Sequence, residues 1–246
     1  VACLWYGGLP FAALIALAGF GLAVEWVQLC RQQPASWPGC LVPAGIVLAS
    51  VLGALGFFAS AVGAIILCGG LILSSPAANR LTLAAGLPYI APTALALLWL
   101  RDDPVAGWAN VLFVLVLIWS SDIGAYLAGR LIGGPRLAPL ISPGKTWSGA
   151  AGGLLAAIAF GWLTASLLHS PVAPLRLVAL AVCLGVVSQV GDLFESMLKR
   201  HFGVKDSGRL IPGHGGLLDR LDALLAVAPV AGALALLTGR GVVFWQ

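Results

Sequence analysis

Charge is scarce in this chain. Asp, Glu, Lys and Arg make up 9% of its 246 residues, where a soluble domain carries roughly 25%. A soluble core still needs a polar shell, so this scarcity excludes an ordinary water-soluble fold and requires apolar surface against lipid. Histidine is equally scarce: His169, His201 and His214 are the three, and they stand far from any zinc-ligand spacing. The five cysteines, Cys3, Cys30, Cys40, Cys68 and Cys183, include no C-x-x-C pair and lie mostly in apolar stretches. They read as small hydrophobes in helices, not as a disulfide framework. The charged start of a signal peptide is missing, as are an internal repeat and a soluble domain. The alternation of apolar and polar residues that a transmembrane barrel needs is missing too.

What remains is 60% hydrophobic residues in long unbroken runs. A membrane span must satisfy its own backbone, so helices are the default. At roughly 20 residues per span, the chain is expected to be an all-α polytopic bundle of about eight spans. They are placed near 3–24, 40–56, 59–74, 82–100, 108–128, 147–168, 175–195 and 219–238. The split near Phe57–Phe58 divides one long run into two short helices. Residues 1–80 are expected to be scaffold helices, and residues 81–246 to carry the site. The sequence opens inside an apolar stretch, so one further helix upstream is expected.

Lys and Arg set the orientation. If the loop after residue 128 is cytoplasmic, that side holds Arg31, Arg80, Arg130, Arg136, Lys145, Lys199, Arg200, Lys205, Arg209 and Arg220. The other side holds Arg101, Arg176 and Arg240, so the 13 basic residues divide ten to three, a strong positive-inside bias. Trp26, Trp37, Trp99 and Trp108 fall near proposed span ends, as interfacial tryptophans do.

The nine acidic residues are unevenly informative. Asp102 and Asp103 sit beside Pro104 in an outer loop and are expected to be solvated; Glu25, beside Trp26, is expected to be interfacial. Asp122 lies inside a span, where an ionisable group costs a few kcal/mol unless it meets a partner or water. Asp122, Tyr126 and Arg130 are spaced i, i+4, i+8 and share a helical face, as a structural Asp–Arg pair or as the wall of a polar site. Asp192, Glu195, Ser196 and Lys199 make a similar stripe, and Asp219 and Asp222 open the last span at i, i+3. Carboxylates at two helix ends on one membrane side need cations, and a divalent ion with hard oxygen ligands would serve alongside the lysines and arginines.

Between those ends runs Lys199 to Gly216, with Lys199, Arg200, Lys205 and Arg209 and with Gly203, Gly208, Gly213, Gly215 and Gly216. Glycines let backbone N–H groups approach an anion, and the helix N-terminus that follows favours negative charge. A third piece, Ser142-Pro-Gly-Lys-Thr-Trp147, ends like a P-loop, but Pro139 stands where the first glycine belongs and no strand is expected before it. A lysine and hydroxyls (Ser142, Lys145, Thr146) at a helix N-terminus still suit a phosphate.

At these residues the chain resembles the CDP-diacylglycerol synthases, or phosphatidate cytidylyltransferases. Their motif reads S-x-hydrophobic-K-R, four residues, K-D-x-small, two residues, hydrophobic-P-x-H-G-G-hydrophobic-x-D-R-hydrophobic-D. Ser196, Lys199, Arg200, Lys205, Asp206, Gly208, Ile211, Pro212, His214, Gly215, Gly216, Leu217, Asp219, Arg220, Leu221 and Asp222 match it without a gap. The likeness extends through Gly191–Ser196, Ser142–Trp147 and Asp122–Tyr126. Many members have Lys where this chain has Gly144 and Glu where it has Ser148.

The resemblance implies the reaction of CTP with phosphatidate to give CDP-diacylglycerol and pyrophosphate, dependent on Mg²⁺, with a second, monovalent cation such as K⁺ admitted. It implies metal ligands at Asp192 and Asp219, and phosphate contacts from Lys145, Lys199, Arg200, Lys205 and Arg220. Asp206, His214 and Asp222 join the catalytic set. Asp122, Tyr126, Arg130, Ser142, Thr146, Ser196, Gly215 and Gly216 are expected to bind substrate. The implied setting is a bacterial inner membrane with the site facing the cytoplasm, no nucleic-acid partner, and room for a homodimer.

Other classes fit less well. CDP-alcohol phosphotransferases carry D-G-x-x-A-R and a D-x-x-x-D pair, whereas Asp219 and Asp222 are one residue closer. Prenyltransferases carry two D-x-x-x-D helices. A transporter predicts inverted repeats and charges near the midplane. A related cytidylyltransferase acting on another lipid, or a CTP-using lipid kinase, is separated only by experiment.

Overall fold

The computed structural model describes residues 2–104, 106–208 and 215–237. Within them the chain is helical apart from one two-stranded hairpin. The helices are α1 (Ala2–Tyr6), α2 (Gly8–Leu29), α3 (Trp37–Ala54), α4 (Phe58–Leu73), α5 (Arg80–Arg101), α6 (Gly107–Leu131), α7 (Trp147–Leu167), α8 (Pro174–His201) and α9 (Leu218–Leu237). Seven of these are long and apolar enough to cross a membrane, and α4 is a shorter apolar helix of 16 residues. At 1.5 Å per residue α4 is about 24 Å long, short of a ~30 Å hydrocarbon layer. The bundle of about eight spans expected from the sequence is what forms.

Two ends differ from the expected spans. The first span breaks at Gly7, whose φ of +66° suits glycine. The Arg101 side chain occupies the space beside it, its Nε donating to the Leu4 carbonyl at 2.8 Å and its Nη2 to the Trp5 carbonyl at 3.0 Å. Beyond that break, α2 runs on to Leu29, so Glu25 and Trp26 are helical and buried. The Glu25 side chain, expected at an interface, is therefore enclosed by the protein itself. Likewise α8 continues to His201, which carries the whole stripe from Asp192 to Lys199 on one helix.

The hairpin pairs β1 (Arg136–Ala138) with β2 (Ser142–Thr146), antiparallel, Arg136 opposite Thr146 and Ala138 opposite Ser142. The Ser-Pro-Gly-Lys-Thr segment is thus a strand, not a turn on a helix N-terminus. Pro135, Pro139 and Pro143 favour this: each lacks the N–H a helix would use and biases the residue before it towards extended backbone. Thr146 ends β2 and caps α7, its hydroxyl accepting from Gly149 N at 3.1 Å.

Two apolar clusters hold the bundle. One gathers α1, the start of α2, and α5 to α9; the other gathers α2 to α5 with α9. Helices α5 and α9 belong to both, so the first 80 residues share a core with the rest. The most extensive helix pair is α6 with α7. Small residues allow it: a Cβ on Gly124 would lie 2.5 Å from Ala156 Cβ and 2.7 Å from Gly152 O. Such close backbone approach is how membrane helices gain packing without a solvent-driven term. All five cysteines are free, and burial pushes the Cys30 thiol, just beyond α2, up to about 12.

Candidate active site

The polar residues gather at the hairpin end of the bundle, in two neighbouring groups. The first lines a cavity of about 470 Å³ between α6, the hairpin, α7 and α8, within the ~300–1,000 Å³ usual for small-molecule sites. Helix α6 supplies Asp122, Tyr126 and Arg130 to one wall. Their shared face is real: Arg130 Nη1 donates to the Tyr126 hydroxyl at 2.5 Å. The ion pairs formed among the described residues involve Lys145 and Lys199, not Arg130, so the alternative of an Asp122–Arg130 pair does not form. Across the cavity, Lys145 of β2 meets Asp192 of α8 at 2.6 Å, and Gln189, one turn earlier, donates to the Ala150 carbonyl of α7 at 2.9 Å.

The second group is centred on Lys199. Its ammonium lies 2.7 Å from Glu195 Oε2, one turn back on α8, and 2.7 Å from Asp219 Oδ1 at the start of α9. The other oxygen of Asp219 accepts from Ser207 N at 3.0 Å and Gly216 N at 2.9 Å. The carboxylate therefore ties Ser207 and Gly216 to Lys199 of α8. Asp222, one turn into α9, lies within electrostatic reach of Asp192, Glu195 and Asp122, and so joins the two groups.

Of the residues expected from the sequence, Asp122, Tyr126, Arg130, Lys145, Thr146 and Asp192 line the cavity. Lys199, Asp219 and Gly216 form the second group, with Gly215 in a left-handed turn (φ +81°) just before it. Ser142 opens β2 and Ser196 is half-buried on α8. Arg200, Lys205, Asp206 and Arg220 are exposed and do not line the cavity; Arg200 Nε donates to Ile141 O at 3.4 Å. His214, with Arg209, Ile211 and Pro212, lies outside the described residues. A Cβ at Gly144 would meet nothing within 4 Å, so the missing side chain there leaves open space.

Sequence reading missed several contributors. Gln189 and Ser121 line the cavity; Gln189 sits three residues before Asp192, so the polar stripe had one more member than was counted. Arg136 lines it too. The buried Tyr89 hydroxyl lies within electrostatic reach of Glu195 and Asp222. Glu25, fully buried, accepts from Leu217 N and Leu218 N, both at 2.8 Å. A lone acid inside an apolar helix was its only signal.

Among the described residues, no three His, Cys, Asp or Glu side chains form a ready-made metal cage. The donor set still fits a hard divalent cation. Asp122, Asp192, Glu195, Asp219 and Asp222 interact as one acidic group, and the ion pairs within it come from two lysines. Asp192 keeps 36% of its side chain exposed, facing the cavity.

Comparison with known proteins gives a consistent result. The model of the cytidylyltransferase family matches residues 1–238. The chain is 43% identical over 232 residues to the phosphatidate cytidylyltransferase of Brucella suis biovar 1, covering 91% of this chain and 83% of that one. It is 44% identical over 160 residues to the protein of the same name from Pseudomonas aeruginosa, covering 65% and 59%. With that from Haemophilus influenzae it shares 42% over 148 residues, covering 58% and 51%.

Proposed function

Because this chain belongs to the cytidylyltransferase family, a family of nucleotidyl-transferring enzymes, we propose that it transfers the cytidylyl group of CTP to phosphatidate, giving CDP-diacylglycerol and pyrophosphate. The observation that carries the choice of lipid is the 43% identity to a phosphatidate cytidylyltransferase over 91% of the chain. The geometry suits it: a cavity with basic and acidic walls lies at one end of an apolar bundle, where a lipid headgroup and a water-borne nucleotide can meet.

In this reading an oxygen of the phosphatidate phosphate attacks the α-phosphorus of CTP in line. The new P–O bond forms as the bond to pyrophosphate breaks, and pyrophosphate leaves with that electron pair. A phosphate monoester has its second pKa near 6, so it is mostly dianionic at pH 7 and needs no strong general base. The residues have two tasks, to bring polyanions together and to stabilise the leaving group. Arg130, Arg136 and Lys145 hold phosphates in the cavity, and Lys199 does so at the second group, where Gly215 and Gly216 carry no side chain to bar a substrate. Arg200, Lys205 and Arg220 add positive charge at its edge, and Asp206 and His214 belong to the same loop.

A divalent cation, Mg²⁺ in this proposal, would be held by Asp192 and Asp219, with Asp122 and Asp222 adding negative charge; a monovalent cation such as K⁺ would be admitted as well. When bound it offsets the carboxylates and the developing charge on the phosphates. The bias of ten basic residues in 13 towards the hairpin side supports a site facing the cytoplasm of a bacterial inner membrane. A homodimer and the division into scaffold (1–80) and catalytic (81–246) helices belong to the same reading.

Purified protein is incubated with Mg²⁺, phosphatidate and CTP labelled at the α- or the γ-phosphate. Label from the α-phosphate is expected in lipid; label from the γ-phosphate would indicate a kinase instead. Competing lipid phosphates then test the acceptor. Asp192→Ala and Asp219→Ala are expected to abolish turnover while the folded protein remains in the membrane; near-wild-type activity in either refutes the metal assignment.

A further inference from the structure

Glu25 has an environment that a scaffold helix does not need. It lies on α2, in the first tenth of the chain, and is completely buried. Its carboxylate oxygens accept from Leu217 N and Leu218 N, each at 2.8 Å. Those are among the orphan donors at the start of α9, where a negative charge is also favoured by the helix dipole. The loop closes round it from two sides. A Cβ on Gly208 would lie 2.6 Å from Glu25 Oε1, and one on Gly216 would lie 2.9 Å from Oε2. Gly208 therefore fits against this carboxylate because it carries no side chain, and Gly216 fits between the carboxylate, Ser207 Oγ and Gly208 N for the same reason.

Two carboxylates thus share four backbone donors of one loop: Glu25 takes Leu217 and Leu218, and Asp219 takes Ser207 and Gly216. The division matters for Asp219. Its Oδ1 is held by Lys199 at 2.7 Å, and its Oδ2 holds the loop. Without Glu25, two buried N–H groups stand unpaired within one turn of Asp219, at the N-terminus of its own helix. A buried donor without a partner costs enough to draw the Asp219 carboxylate towards them and away from Lys199 and Ser207.

We propose that Glu25 is a positioning residue of the active site, which by holding the start of α9 fixes Asp219, and with it the contacts of Asp219 to Lys199, Ser207 and Gly216, in working geometry. This rests on the reading of Asp219 as a catalytic-site carboxylate. It also means that α2 contributes to the site and not to the scaffold alone.

The test uses full-length protein purified in lipid nanodiscs. Glu25→Gln keeps size and one acceptor but sets an amide donor against a backbone donor. Folding is followed by thermal unfolding, and kcat, KM for CTP and the Mg²⁺ concentration for half-maximal rate are measured well below the melting point. Loss of a group that orients a ligand-bearing carboxylate is expected to lower kcat/KM about 10–100-fold and to raise the Mg²⁺ requirement. Gly208→Ala presses on the carboxylate from the other side, at a glycine with no left-handed φ, and is expected to give the same signature. In the double variant the two losses should be less than additive. If folded E25Q matches the wild type in kcat, KM and Mg²⁺ requirement while Asp219→Asn is inactive, Glu25 is structural only and the proposal is overturned. If Asp219→Asn is itself active, the reading beneath falls, and this proposal with it. Should E25Q not accumulate, G208A decides alone: an unchanged Mg²⁺ requirement and rate overturn it.

Discussion

Replacing Lys199 by methionine separates what this residue does for stability from what it does for chemistry. Its ammonium is the partner of Glu195 Oε2 and Asp219 Oδ1, both at 2.7 Å, and the side chains of Lys199, Glu195 and Asp219 are 17%, 4% and 13% exposed. Removing one member of a buried ion pair costs about 3–5 kcal/mol, because the remaining charge stays out of water without a counter-ion. The two acids are not equally vulnerable. Asp219 keeps two backbone N–H bonds, whereas among the described residues the Glu195 carboxylate has no donor besides Lys199, its other neighbour being the Asp219 carboxylate. Most of the cost should therefore come from Glu195. Lys199→Met alone is expected to lose about 3–5 kcal/mol, and Lys199→Met with Glu195→Gln is expected to recover about 2 kcal/mol of it. The measurement is denaturant unfolding in mixed micelles for wild type, both single variants and the double variant. Activity should not return with stability in the double variant, since the cation proposed to contact phosphate is still absent. A Lys199→Met protein within about 0.5 kcal/mol of wild type, the range of an ordinary surface change, would refute the ion-pair reasoning.

The contact of α6 with α7 should not tolerate bulk. Gly152→Val places a Cβ against Ala128 Cβ and is expected to cost about 1–3 kcal/mol of stability and to lower activity by deforming the cavity, both read on purified protein. Thr146→Ala removes the cap of α7 and is expected to lower stability by about 1 kcal/mol; thermal unfolding with no change beyond error would count against that cap. Removing divalent cations with a chelator is expected to abolish turnover and Mg²⁺ to restore it. Full activity in the chelator would exclude the proposed cation.

Much of this arrangement was legible because it is local. Apolar runs of about 20 residues give spans by length alone, and the observed helices follow the expected ones closely from α3 onward. Asp122, Tyr126 and Arg130 share a face because helical geometry puts i, i+4 and i+8 together, and the Arg130–Tyr126 bond at 2.5 Å is the outcome. The pair of Glu195 and Lys199 follows from i, i+4 spacing in the same way. The hairpin is also partly local: three prolines four residues apart disfavour helix from 135 to 143, although α5 accommodates Pro88 and Pro92 at that spacing within an apolar run. The Gly-Lys-Thr ending drew the reading towards a helix N-terminus instead. Thr146 does cap a helix, and Lys145, one residue earlier, projects from a strand to Asp192.

What pattern could not deliver is pairing across the chain. Lys145 meets Asp192 only once β2 lies against α8, and Lys199 meets Asp219 only once α8 lies against α9, and no spacing rule chooses between those partners and their neighbours. Glu25 is the extreme case, since its donors lie 192 and 193 residues away. Periodicity assigned it to a span end, where a carboxylate beside a tryptophan is unremarkable. Yet a carboxylate that stays in water at an interface has no need of bare glycine neighbours, and Gly208 and Gly216 both leave room for this one. The glycines of the loop were read as room for a phosphate. Two of them make room for a side chain of the protein's own, and that carboxylate occupies the N-terminus of α9, where an incoming anion would otherwise be drawn. With Glu25 on Leu217 N and Leu218 N, the proposed phosphate contacts fall to the basic side chains around Lys145 and Lys199, and the start of α9 serves in that proposal as an anchor for Asp219.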